Sequence, residues 1–75
     1  MQLTDVLIHL EQNINESEKE NITEQLRAVE GVIAPRFNKE RNHLLLVSYN
    51  SDAINSLTLL NEVKDKGYKA QLVGL

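Results

Sequence analysis

The chain has 75 residues, a formal net charge of −3 and no cysteine. That length supports one domain burying only about 60% of the surface its unfolded form exposes, and the missing thiols exclude disulfide staples, Cys-based zinc sites and thiolate nucleophiles. With 41% hydrophobic and 25% charged residues the chain is apolar enough to fold, while its acidic balance excludes the clustered Lys and Arg that nucleic-acid binding requires.

Met1-Gln2-Leu3-Thr4-Asp5 carries no basic segment, and Val6–Leu10 is too short for a signal core or a membrane span. A cytoplasmic location without membrane insertion is therefore expected. Two glycosylation-type triplets, at Asn15 and Asn21, carry no weight without a secretory signal.

Val6, Ile8 and Leu10 alternate with Leu7 and His9, the period of a strand with one buried face. Ser17-Glu18-Lys19-Glu20 matches the S-x-x-E capping box and predicts a helix over 17–30, with Ile22, Leu26 and Val29 on its apolar side and Gly31 as its stop. Val32–Asn38 reads as a second strand, and Pro35, which has no N–H to donate, places it at a sheet edge or on a bulge, the edge being the simpler choice. A charged turn, 39–42, leads into the nearly continuous apolar run His43–Tyr49, as expected of a central strand paired with the second as a hairpin. Asn50, Ser51 and Asp52 offer caps for a second helix over 53–66, with Ile54, Leu57, Leu60 and Val63 as its stripe and Gly67 as its end. Lys69–Val73 alternates again as a fourth strand.

The order βαββαβ predicts an α+β, ferredoxin-like sandwich: a four-stranded antiparallel sheet in the order 4-1-3-2 with both helices on one face. The edge position of the second strand agrees with Pro35, and the inner position of the third agrees with its leucines.

Ile22, Leu26 and Gly31-Val32, then Val47-Ser48-Tyr49-Asn50, then Val63-Lys64-Asp65-Lys66-Gly67-Tyr68 followed by Ala70 and Leu72, form an ordered set of motifs over nearly the whole chain. In that order and spacing, residues 1–75 resemble a single heavy-metal-associated domain, as in copper chaperones and metal-transporting P-type ATPases. The resemblance implies a soft-metal loop, G-M-x-C-x-x-C, between the first strand and first helix. Counting without a gap puts Gln12-Asn13 at the Gly-Met positions and Asn15 and Glu18 at the two Cys positions. Cu(I) is selected by thiolate, for which an amide and a carboxylate are poor substitutes, so the chain reads as a degenerate member without the family's metal and with no cofactor.

The acidic run Asn15–Glu20 offers oxygen ligands to a hard cation, but carboxylates in a first helical turn are accounted for by the helix dipole and capping. His9 and His43 are the only imidazoles. Parity sets His9 with the outward Leu7 and His43 with the inward Leu45, Val47 and Tyr49, so the pair is expected on opposite faces, and both remain secondary metal candidates. Tyr68, which the resemblance places near the metal loop, is expected to fill the sheet end beside Leu10. No nucleophile, P-loop or dinucleotide motif is present, and no catalytic residue is assigned.

The same parity leaves Leu7, His9, Leu44, Leu46 and Val73 on the sheet face that the helices do not cover. Such a contiguous apolar patch marks an interaction surface. The leading expectation is a non-enzymatic binding domain acting by contact with a protein partner or by self-association as a homodimer through this face. Two alternatives are a metal-binding or transport-related domain with oxygen or His ligands, and a small-molecule sensor like the ACT domains, which share the topology but carry a Gly in the first loop where this chain has Asn13-Ile14-Asn15.

Overall fold

The computed structural model describes residues 1–73. Its elements are β1 (Leu3–Leu10), α1 (Glu16–Arg27), β2 (Val32–Phe37), β3 (Leu44–Asn50), α2 (Ser56–Asp65) and β4 (Ala70–Val73). The strands form one sheet in the order β2-β3-β1-β4, which is the expected 4-1-3-2 read from the other edge.

All three pairings are antiparallel. Val6 lies opposite Val47 and Ile8 opposite Leu45, so the alternating side chains of the two central strands turn to one face. There they meet Ile22 and Leu26 of α1 and Leu59, Leu60 and Val63 of α2 in one buried cluster. The β2 edge strand carries Pro35 and also a register shift between Val32 and Ala34. Edge and bulge therefore both occur, and the bulge leaves Ile33 exposed.

The helix limits differ from those expected. Asn15 rather than Ser17 caps α1, with Glu18 in the role expected of Glu20, and the helix ends at Arg27 with Ala28 as C-cap. Gly31 follows in the left-handed region at φ 98°, where a Cβ would lie 2.9 Å from Ile54 Cγ2, so both conformation and space demand glycine. Asn55, not the 50–52 segment, caps α2, its side chain accepting the Thr58 N–H. Asn50 instead ends β3 and its side chain accepts the backbone N–H groups of Gln2 and Asp52.

The α2 stripe also shifts: Leu59 is buried and Leu57 is exposed. Residues spaced by three throughout drift around a helix of 3.6 residues per turn, and only a mixture of three and four stays on one face. Among the described residues no helix is long and apolar enough to cross a membrane.

Candidate functional site

The end of β1 and the starts of α1, β3 and β4 converge at one end of the domain. Leu10 N–H donates to the His43 carbonyl at 2.8 Å, and Glu11 N–H to the Lys69 carbonyl at 2.8 Å. Gln12 Oε1 accepts the Lys69 N–H at 3.1 Å, tying the loop after β1 to the segment before β4.

Asn15 and Glu18, which the resemblance sets at the two thiolate positions, bond to each other. Asn15 Oδ1 accepts the Glu18 N–H at 2.8 Å, and Glu18 Oε1 accepts the Asn15 N–H at 3.1 Å. This capping box satisfies backbone donors that a helix start leaves free, and its carboxylate lies at the positive end of the helix dipole. The other Glu18 oxygen, Oε2, accepts from the Tyr68 hydroxyl at 3.2 Å. Tyr68 thus packs against the core, as its place at the sheet end requires, and also bonds the first helical turn, which its sequence position did not reveal. Burial, the hydrogen bond to Glu18 and the Glu18 charge raise its pKa above the ordinary tyrosine value.

Lys19, adjacent to this pair, is buried to 9% exposure. Its ammonium lies 3.4 Å from Glu16 Oε1 and 3.3 Å from Asn42 Oδ1, over the Phe37 ring at 5.6 Å. A fixed cation beside the loop opposes a second cation there. The sequence signal for it is spacing: Lys19, Ile22 and Leu26 lie three and four apart and share the buried face of α1.

The two histidines are brought together, contrary to parity. Their ring centroids are 5.9 Å apart, with the planes tilted by 31°. His43 lies in the turn before β3, where strand alternation does not yet apply, and its Nδ1 sits 3.0 Å from the Leu10 carbonyl oxygen. Both rings line a cavity of about 410 Å³ together with Glu40, Arg41, Asn42 and Leu44.

On the uncovered face the register aligns Leu46 with Leu7, and Leu7 with Val73, in one row across β3, β1 and β4. Leu44 and His9 form the next row, and Arg36 flanks Leu46 from β2. All five expected face residues, Leu7, His9, Leu44, Leu46 and Val73, are half-buried within the monomer. Beyond them Ser48 donates to Asp5 Oδ1 at 2.7 Å, giving the far side of this face a polar boundary.

No protein-family model and no curated protein matches the sequence. Solved structures do. Oxidised MerP from Ralstonia metallidurans CH34 superposes with a TM-score of 0.84 at 15% identity, over 97% of this chain and all (100%) of that one. The N-terminal domain of a potential copper-translocating P-type ATPase from Bacillus subtilis, in its Cu(I)-loaded state, gives 0.85 at 23% identity, over 97% of this chain and 90% of that one. The CsoZ metallochaperone gives 0.79 at 23%, over 97% and 100%. The chain therefore has the ferredoxin-like fold of metallochaperones and P-type ATPase metal-binding domains, and it has that fold without a cysteine.

Proposed function

We propose that the protein is a degenerate heavy-metal-associated domain, non-enzymatic and cytoplasmic, whose soft-metal loop has become a structural cap and whose function is protein contact through the uncovered sheet face. The observation that carries this reading is the reciprocal bonding of Asn15 and Glu18. Both residues at the thiolate positions are engaged with each other, and Glu18 is further engaged by Tyr68, which leaves no open ligand pair at the loop.

The Leu46–Leu7–Val73 row supports the contact surface, because an apolar row on a sheet face without a covering layer gains by exclusion from water. Arg36 at the β2 end of that row and Asp5 in the next row along β1 give it polar neighbours, as in the rim of a docking patch. The occupant proposed is a second copy of the chain, forming a homodimer.

Sedimentation equilibrium across a concentration series, with a chelator present, tests this. A concentration-dependent dimer is expected, lost in Leu46→Asp while the circular dichroism spectrum is retained. A protein that stays monomeric at millimolar concentration, or a Leu46→Asp variant that dimerises like the parent, overturns the self-association reading.

A further inference from the structure

We propose that His9 and His43 form a two-imidazole site for a borderline divalent cation of the Zn²⁺, Ni²⁺ or Cu²⁺ type, at the end of the sheet and separate from the capped α1 loop. The Leu10 carbonyl can only accept a hydrogen bond, so His43 Nδ1, 3.0 Å away, carries the proton and Nε2 keeps its lone pair. Anchoring one ring nitrogen to a backbone carbonyl is how proteins orient a metal-binding imidazole and fix its tautomer.

His9 supplies the second observation. Its Nδ1 is shielded from solvent and has no hydrogen-bond partner, one of two side-chain polar atoms in that condition among the described residues. Buried nitrogen atoms of this kind are normally satisfied, and a cation accepting the lone pair would satisfy this one. Imidazole nitrogens take such ions at about 2.0–2.1 Å, which puts the centroids of two rings sharing one ion about 5 to 6 Å apart. The observed 5.9 Å lies at the wide end of that range.

The adjoining cavity has room for the ion and its remaining water ligands, with Glu40 among its lining residues. Among the described residues no third His, Asp or Glu stands ready with the pair, so the ion would be exchangeable rather than structural. Arg41 also lines the cavity but is exposed on the hairpin turn and free to extend into water. An anion is less well matched, because it needs donors and the Nδ1–H of His43 is already given to the Leu10 carbonyl. Nitrogen ligands select borderline ions over Ca²⁺ and Mg²⁺.

Zn²⁺ titration in a non-coordinating buffer, followed through the ring nitrogens by histidine-resolved NMR, tests the site. One equivalent is expected to shift both rings together, Ni²⁺ to broaden His9, His43 and Leu44 selectively, and Mg²⁺ to leave them unmoved. His9→Gln removes a side chain with no hydrogen bond to lose at Nδ1 and is expected to weaken Zn²⁺ affinity at least about tenfold. Absence of ring shifts at millimolar Zn²⁺, unchanged affinity in His9→Gln, or a response to inorganic phosphate in place of Zn²⁺ would overturn the proposal. The site does not rest on the dimer reading, which is measured with chelator present and fails separately.

Discussion

Asn15 and Glu18 hold each other across the first turn of α1, each side chain accepting the other's backbone N–H. The pair stands three residues apart, the spacing that the resemblance gives the two thiolates of its metal loop, and here the two positions serve the helix start. Replacing an Asn cap by Ala typically costs about 0.5–2 kcal/mol. Asn15→Ala is therefore expected to lower the denaturant midpoint by an amount worth about 1 kcal/mol, and Asn15→Ser by much less. Equal stability of the Ala variant would show that the reciprocal bonds contribute nothing net.

Tyr68 links that cap to the segment after α2 and gives it a pH dependence. Burial, then the hydrogen bond to Glu18 and the charge of Glu18, raise its pKa above the ordinary value of 10.0. The folded state thus holds the phenolic proton more tightly than the unfolded chain. Its contribution to stability is fully present below the unfolded pKa and is lost as pH rises through the folded one. Unfolding measured on the alkaline side of pH 10.0 is expected to show a decline that Tyr68→Phe reduces. Carbon-labelled tyrosine NMR, which separates Tyr68 from Tyr49, is expected to show the Tyr68 titration moving down in Glu18→Gln. A Tyr68 titration unmoved by that change would remove Glu18 as a cause.

The sheet was legible in the sequence because its pattern is redundant. Val6, Ile8 and Leu10 alternate, Pro35 excludes a central position, and the leucines of β3 demand one, so several independent constraints meet in one strand order. Helix starts were less legible. Asn15 with Glu18 and Ser17 with Glu20 are equally good capping boxes locally, and tertiary contacts decide between them: starting at Glu16 lets Glu18 meet Tyr68 while Lys19, Ile22 and Leu26 turn inward. The histidine pair was hidden for a related reason. Alternation predicts faces only within a strand, and His43 lies one residue before β3 begins. The contact between Lys19 and Asn42 spans the α1 start and the hairpin turn, and no local pattern encodes it.

Placing thiolates at the two capping positions tests the alignment of the loop directly. Asn15→Cys with Glu18→Cys would place two sulfurs three residues apart at a helix N-terminus, where the dipole and the neighbouring Lys19 ammonium both favour the thiolate form. The apo variant loses the cap and the Tyr68 partner, so it is expected to unfold at lower denaturant than the parent. Cu(I), selected by soft ligands, is expected to bind with one-to-one stoichiometry in a competition titration and to recover that stability, since a ligand bound only by the folded state adds its binding energy to folding. The parent chain is expected to take up no Cu(I) in the same competition. A variant that folds but binds no Cu(I) would show that Asn15 and Glu18 do not occupy the positions that the resemblance gives to the ligands.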